Sequence, residues 1–120
     1  MIDIKGKFIS PGFIDIHTHG GGGYDFMDGT VKAIKEASKS HMKFGTTSII
    51  PTTITSTLEE LLNFLDNFEQ AKKELKDGPN LIGVHLEGPY LSMEQKGAQD
   101  SQYIKNPNRE EYLKILNYSN

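Results

Sequence analysis

The chain has 120 residues, enough for one domain with a modest hydrophobic core. Its net charge is -3 with acidic and basic residues interspersed, which argues against a nucleic-acid-binding face or a basic membrane anchor. It has no cysteine, which excludes disulfides and thiolate metal ligands. No stretch has the apolar length of a signal peptide or membrane span, so we expect a cytoplasmic protein that binds neither nucleic acid nor membrane.

The first predicted strand covers residues 13–19 and leads into four glycines. Side chains two apart on a strand share a face, so His17 and His19 should converge on one point, with Asp15 on the same face. Imidazole is a good ligand for zinc and similar divalent ions. One histidine could instead pack while the other is solvated, but the position of the pair at a strand end before glycines favours metal ligands.

A loop is expected at residues 20–29 and a helix after it. Thr30 is a suitable N-cap, the apolar positions from Val31 onward follow a helical period, and Gly45 fits the C-terminal end. His41 lies on this helix far from other candidate ligands in the sequence. We therefore expect it to be a surface or packing residue.

A second buried strand is predicted at residues 46–51, followed by Thr52 and Thr53 in a loop. Ser56 and Glu59 have the spacing of a capping box before a leucine-rich amphipathic helix that should end at 78–79. A further helix is expected at the C-terminal end, with Asn106 as N-cap and Pro107 in the first helical position.

The third predicted strand covers residues 81–87. A strict period of two places Leu81, Gly83, His85 and Glu87 on one face, and Ile82, Val84 and Leu86 on the other. A carboxylate at the end of an apolar strand is costly unless it is paired or bound to metal, so Glu87 is a candidate ligand; the alternative is a cap for the following turn. His85 is expected to be a satisfied interior histidine.

Strands and helices alternate along the chain, which predicts an α/β fold with parallel strands joined by right-handed crossovers. His17, His19 and Glu87 then lie at the carboxyl ends of their strands, where parallel α/β folds carry their sites. No dinucleotide-binding or phosphate-loop motif supports a doubly wound sheet. We expect the first three strands, with their helices, of a (β/α)₈ barrel, a fold that needs roughly 250 residues.

Several motifs carry a resemblance to a known family. Residues 11–20 resemble the first barrel strand of the amidohydrolase superfamily. Residues 20–28, 45–48 with 51–52, 85–90 and 96–99 are similar to segments of the N-acetylglucosamine-6-phosphate deacetylases. The resemblance implies that His17 and His19 bind one metal, that Glu87 is a carboxylate ligand shared with or belonging to a second metal position, and that Ala98 and Gln99 contact a sugar phosphate.

The chain also departs from that pattern. Some members of the family have histidine where this chain has Gln99, and others lack the two histidines of the first strand and use a single metal, so a two-metal site is expected here. The resemblance implies that the catalytic aspartate lies beyond Asn120. It also implies that residues 1–12 are the end of a small β-domain or a linker, and that residues 13–120 are the first part of the barrel.

The activity implied by the resemblance is metal-dependent hydrolysis of N-acetylglucosamine 6-phosphate to glucosamine 6-phosphate and acetate. Zinc is the first expectation for the metal, with Fe(II) or Mn as alternatives. A homodimer is expected for the full-length enzyme, and this chain alone is expected to be inactive. The alternatives are another cyclic amidase of the superfamily, such as dihydroorotase, and a non-catalytic α/β fragment.

Overall fold

The structure is a computed structural model that describes residues 3–118. Three strands and three helices alternate along it, with a short hairpin after the first strand. The elements are β1 (Phe13–Thr18), β2 (Gly20–Gly21), β3 (Tyr24–Asp25), α1 (Val31–Met42), β4 (Thr46–Pro51), α2 (Leu58–Glu74), β5 (Asn80–Leu81) and α3 (Arg109–Leu116).

β1, β4 and β5 form one parallel sheet in that order, which confirms the predicted α/β class and the predicted parallel strands. The expected loop at residues 20–29 contains a two-residue antiparallel hairpin, β2 and β3, with Gly22 and Gly23 at its turn. Within residues 3–118 no helix is both long and apolar enough to cross a membrane.

The helices pack on one side of the sheet because each has one apolar face. α1 and α2 contact each other, and α1 also contacts β4 and the hairpin. The buried hydrophobic cluster takes residues from both helices, from β4 and β5, from the hairpin end and from α3. It consists of Phe26, Ile34, Ala37, Ile49, Leu61, Phe64, Leu65, Phe68, Ala71, Leu81 and Ile115. The leucine stripe of α2 is therefore core, as its helical period predicts.

The helix ends differ from several expectations. Thr30 caps α1 as predicted, accepting a hydrogen bond from the Ala33 amide at 3.1 Å. The predicted capping box of Ser56 and Glu59 is wrong by one residue, because Thr57 and Glu60 form the reciprocal bonds.

The C-terminal end of α2 and the N-terminal end of α3 also differ from their predicted positions. α2 ends at Glu74 rather than at 78–79, since Leu75 has extended backbone. α3 is capped by Asn108, whose side chain accepts from the Glu111 amide at 3.0 Å, and not by Asn106.

The third strand is shorter than the predicted 81–87, because its pairing with β4 is interrupted. Regular pairing covers Asn80–Leu81, and a single bridge then joins His85 to Thr52. The amides of Ile82 and His85 donate to the carbonyls of Ile49 and Pro51. Three residue steps from Ile82 to His85 thus match two residue steps from Ile49 to Pro51 in β4, and this one extra residue defines a β-bulge.

The bulge changes which side chains share a face. Leu81 is buried in the core, and Val84 and Leu86 pack against it, whereas Ile82 is 44% exposed on the other side. The predicted grouping of Leu81 with His85 and Glu87 is therefore wrong, because one extra residue reverses the alternation after Ile82.

Candidate metal centre

His17, His19 and Glu87 come together at the carboxyl end of the sheet. The Oε2 atom of Glu87 lies 3.3 Å from Nε2 of His17 and 3.1 Å from Nε2 of His19. One ligand atom from each residue lies within 4.8 Å of the other two. The exposed fractions of the three side chains are 47%, 38% and 29%, so the cluster opens to one side.

The donor set fits a divalent cation. Two ligands that share one metal at about 2.1 Å lie about 3.0–3.4 Å apart for octahedral to tetrahedral angles. The two distances from Glu87 to the histidines fall in that interval, and Glu87 Oε2 is buried without a hydrogen-bond partner among residues 3–118. Nδ1 of His19 is also buried, and no residue in the described part of the chain bonds to it. An unpartnered carboxylate oxygen between two imidazole nitrogens is the arrangement that a bound cation would satisfy.

Two buried threonines at the end of β4 hold the backbone that carries these ligands. Thr52 Oγ1 accepts from the amide of Thr18, between the two histidines, at 3.1 Å. Thr53 Oγ1 accepts from the amide of Glu87 at 3.1 Å. Both threonines are at most 1% exposed. The sequence places Thr52 and Thr53 in a loop after the second strand, at the same edge as the candidate ligands, but it does not indicate their bonds to the ligand backbone.

His85 and Asp15 lie differently from their predicted positions. His85 is exposed rather than interior, because no described residue covers that side of the sheet, and its ring meets the ring of His17 edge-on at 4.7 Å between centroids. Asp15 does not share the face of the two histidines, since its carboxylate lies 3.7 Å from Nδ1 of His41 on α1. The expectation that His41 packs or lies at the surface agrees with its 23% exposed side chain.

A cleft of about 580 Å³ adjoins the cluster. It is lined by His19 and Glu87 on one side and by Ala98 and Gln99 on the other, so the structure places the predicted substrate-contacting residues beside the predicted ligands. Gln99 Oε1 accepts from the amide of Thr55 at 2.8 Å. This bond leaves the two N–H groups of the Gln99 side chain as the donors that can face the cleft.

Ala98 and Gln99 lie in the segment of residues 89–105, and polar contacts join the two ends of this segment to each other and to α3. The Lys105 amide donates to the Pro89 carbonyl at 3.1 Å, the Tyr90 hydroxyl donates to Glu111 at 2.8 Å, and Lys105 Nζ lies 2.6 Å from the other oxygen of Glu111. The hydrogen bond from Lys105 holds the pKa of Glu111 below its usual value. Burial, with the Glu111 carboxylate, raises the pKa of Tyr90 to about 12.

The parallel α/β fold and the His17, His19 and Glu87 cluster are those of a metal-dependent hydrolase of the amidohydrolase class. Residues 8–119 match the model of the amidohydrolase family, and the chain belongs to that family. Within it, the chain is similar to N-acetylglucosamine-6-phosphate deacetylases, as its motifs predict. The deacetylase of Lysinibacillus sphaericus is 35% identical over 117 residues, covering 92% of this chain and 28% of the relative.

Two further comparisons agree. The crystal structure of N-acetylglucosamine-6-phosphate deacetylase from Pasteurella multocida superposes with a TM-score of 0.82 at 34% identity, covering 90% of this chain and 28% of that one. The N-acetylgalactosamine-6-phosphate deacetylase of Shewanella sp. (strain ANA-3) is 33% identical over 106 residues, 88% of this chain and 26% of the relative. The chain thus spans between a quarter and a third of the length of the relatives it matches.

Proposed function

We propose that this chain supplies the first metal ligands and part of the substrate cleft of a deacetylase that hydrolyses N-acetylglucosamine 6-phosphate to glucosamine 6-phosphate and acetate. One observation carries the proposal: two imidazole nitrogens and an unpartnered carboxylate oxygen converge beside a cleft. The similarity to deacetylases supports the choice of reaction within the metal-dependent amidohydrolase family.

His17, His19 and Glu87 would hold the metal, with zinc as the first expectation and Fe(II) or Mn as alternatives. A divalent cation bound there would lower the pKa of a coordinated water and polarise the acetyl carbonyl. The histidines must be neutral to offer their Nε2 lone pairs, and Glu87 contributes the negative charge. Thr52 and Thr53 keep the three ligands in register through the backbone.

Gln99 and Ala98 would contact the sugar phosphate. The carbonyl oxygen of the Gln99 side chain is held by the Thr55 amide, so the carboxamide is oriented before substrate enters and presents N–H donors to an anionic group. Lys96 lines the same cleft and donates to the main-chain carbonyl oxygen of Gln99 at 2.9 Å, which places a positive charge close by. A phosphorylated amino sugar, whose phosphate carries a charge of about -2, fits this combination of donors and positive charge better than dihydroorotate, a cyclic amide with a single carboxylate.

Metal binding and turnover test the proposal separately. Metal content and affinity are measured on this chain, and deacetylation is measured on the gene product that carries it, with N-acetylglucosamine 6-phosphate, its unphosphorylated form and N-acetylgalactosamine 6-phosphate as substrates. We expect one divalent ion to depend on His17, His19 and Glu87, and hydrolysis to require the phosphate. We expect this chain alone to bind metal without turnover.

Each result bears on a different part of the proposal. Equal rates with and without the phosphate would contradict the assignment of Gln99. Gln99→Ala should reduce the preference for the phosphorylated substrate, and Gln102→Ala, in the neighbouring exposed turn, is its matched control. Faster hydrolysis of the galactosamine substrate would move the assignment to the reaction named for the Shewanella relative. Absence of metal from both this chain and the gene product would overturn it altogether.

A further inference from the structure

His41 lies outside the metal cluster, yet it contacts both ends of the segment that carries two of its ligands. Its Nε2 atom is 2.9 Å from the carbonyl oxygen of Gly20, one residue after His19. Its Nδ1 atom is 3.7 Å from the carboxylate of Asp15, two residues before His17. A carbonyl oxygen only accepts hydrogen bonds, so Nε2 of His41 carries the proton and donates.

The contact is close because the hairpin has no side chains there. A Cβ on Gly21 would lie 2.9 Å from His41 Nε2 and would also meet Ser40 Oγ. The last turn of α1 therefore rests directly on the backbone that follows His19. Thr18, between the two ligands, adds a third contact, with its Oγ1 at 3.4 Å from the same nitrogen of His41.

We infer that His41 is a positioning residue for the metal centre: it fixes the backbone of residues 15–20 against α1 and so sets the direction of the His17 and His19 rings. This inference rests on the proposed metal site. Groups that orient metal ligands from outside the coordination sphere typically change affinity by roughly tenfold to a hundredfold when they are removed. Here the orientation is transmitted through the backbone rather than through the imidazole Nδ1 atoms.

Two measurements test it, and the first needs no metal. Hydrogen exchange reports the Phe26 amide, which donates to the carbonyl of His19 at 2.9 Å. In His41→Leu, which keeps the bulk but removes the donor, exchange at Phe26 should accelerate about tenfold, while amides within α2 should be unchanged. His41→Gln keeps an N–H group at the position of Nε2 and should restore slow exchange.

The second measurement is Co²⁺ binding followed by visible absorption, which reports both affinity and ligand geometry. We expect His41→Leu to bind Co²⁺ about tenfold more weakly or worse, with an altered spectrum, and His41→Gln to recover the unsubstituted spectrum. Lys43→Leu, at the exposed end of the same helix, is the matched control and should change neither.

The outcomes separate the two claims. Unchanged Co²⁺ affinity and spectrum in His41→Leu would overturn the inference even if exchange accelerates, and so would failure of His41→Gln to restore them. If the unsubstituted chain binds no Co²⁺, the proposed metal site falls and the role of His41 toward it falls with it. The exchange experiment would then still decide whether His41 orders residues 15–20.

Discussion

Replacing Glu87 by glutamine should weaken metal binding without weakening the metal-free fold. The substitution keeps the shape of the side chain and one carbonyl oxygen but removes the negative charge. At a carboxylate-to-metal distance of about 2.1 Å, the attraction between charges of -1 and +2 is about 4 kcal/mol even at the dielectric constant of water. Since the Glu87 side chain is 29% exposed, that dielectric gives a conservative value. The neutral amide oxygen recovers part of it, so we expect affinity to fall by about 10²- to 10³-fold.

The metal-free comparison distinguishes a ligand from a structural residue. Since none of the described residues gives Glu87 Oε2 a hydrogen bond, the metal-free Glu87→Gln variant should unfold at the same or a higher urea concentration. Glu94→Gln is a matched control, since Glu94 is exposed and bonds only to the hydroxyl of Ser92 among the contacts described. Competition with a chelating dye gives the affinities. Unchanged affinity in Glu87→Gln, or equal loss in Glu94→Gln, would refute the reasoning.

Two further predictions concern the segment around the cleft. Lys105 lowers the pKa of Glu111, so the stability that Glu111 contributes is present above the usual carboxyl pKa and is lost as pH falls through the lowered pKa. The pKa of Tyr90 is raised to about 12, so the stability that Tyr90 contributes is lost as pH rises from about 10 to 12. Urea midpoints across pH should show both declines, and Glu111→Gln should remove the acid one. Gly88 has φ of +86°, and a Cβ there would collide with Thr55 Oγ1, so Gly88→Ala should lower the free energy of unfolding by about 2 kcal/mol or more. A urea midpoint equal to that of the unsubstituted chain would contradict this.

The order of elements followed from the sequence because each depends on local pattern. The Thr30 cap, the leucine stripe of α2 and the β-branched run of β4 each fix an element without help from distant residues. The exact helix ends were not determined in this way. Ser56 with Glu59 and Thr57 with Glu60 both satisfy the spacing of a capping box, and sequence alone cannot choose between overlapping boxes.

The convergence of His17 and His19 was predictable because it needs only the period of two within His-x-His, and parallel strands bring Glu87 to the same edge of the sheet. The face that Glu87 takes depends on the bulge, which strict alternation does not contain. The contacts that hold the ligands were not predictable. His41 and Thr53 are each more than 20 residues from the backbone they bind, so only the folded arrangement brings them to Gly20 and Glu87. Gln99 is a similar case, since its bond to the Thr55 amide joins residues 44 apart.

Both strands that carry ligands have a stretch with one extra residue relative to β4, and this explains why strict alternation failed in each. In β1, Asp15 pairs with Ile49 and Thr18 with Pro51, so three steps match two. Asp15 and Thr18 consequently both face His41 on α1, although three residues apart on a regular strand they would point to opposite sides.

The third strand repeats this arrangement, with the extra residue between Ile82 and His85. In the third strand the bulge precedes Glu87, whereas in β1 the irregular stretch from Asp15 to Thr18 includes His17. The core therefore receives Leu81 and Val84 on one side of the sheet, while Glu87 still reaches the two histidines on the other. A bulge next to a site re-aims side chains in this way. Deleting Gly83 removes the extra residue and should leave Leu81, Val84 and Leu86 on the core side and Ile82, His85 and Glu87 on the other. Metal binding should therefore be retained, and a loss of affinity of about tenfold or more would show that the bulge itself holds Glu87 in place.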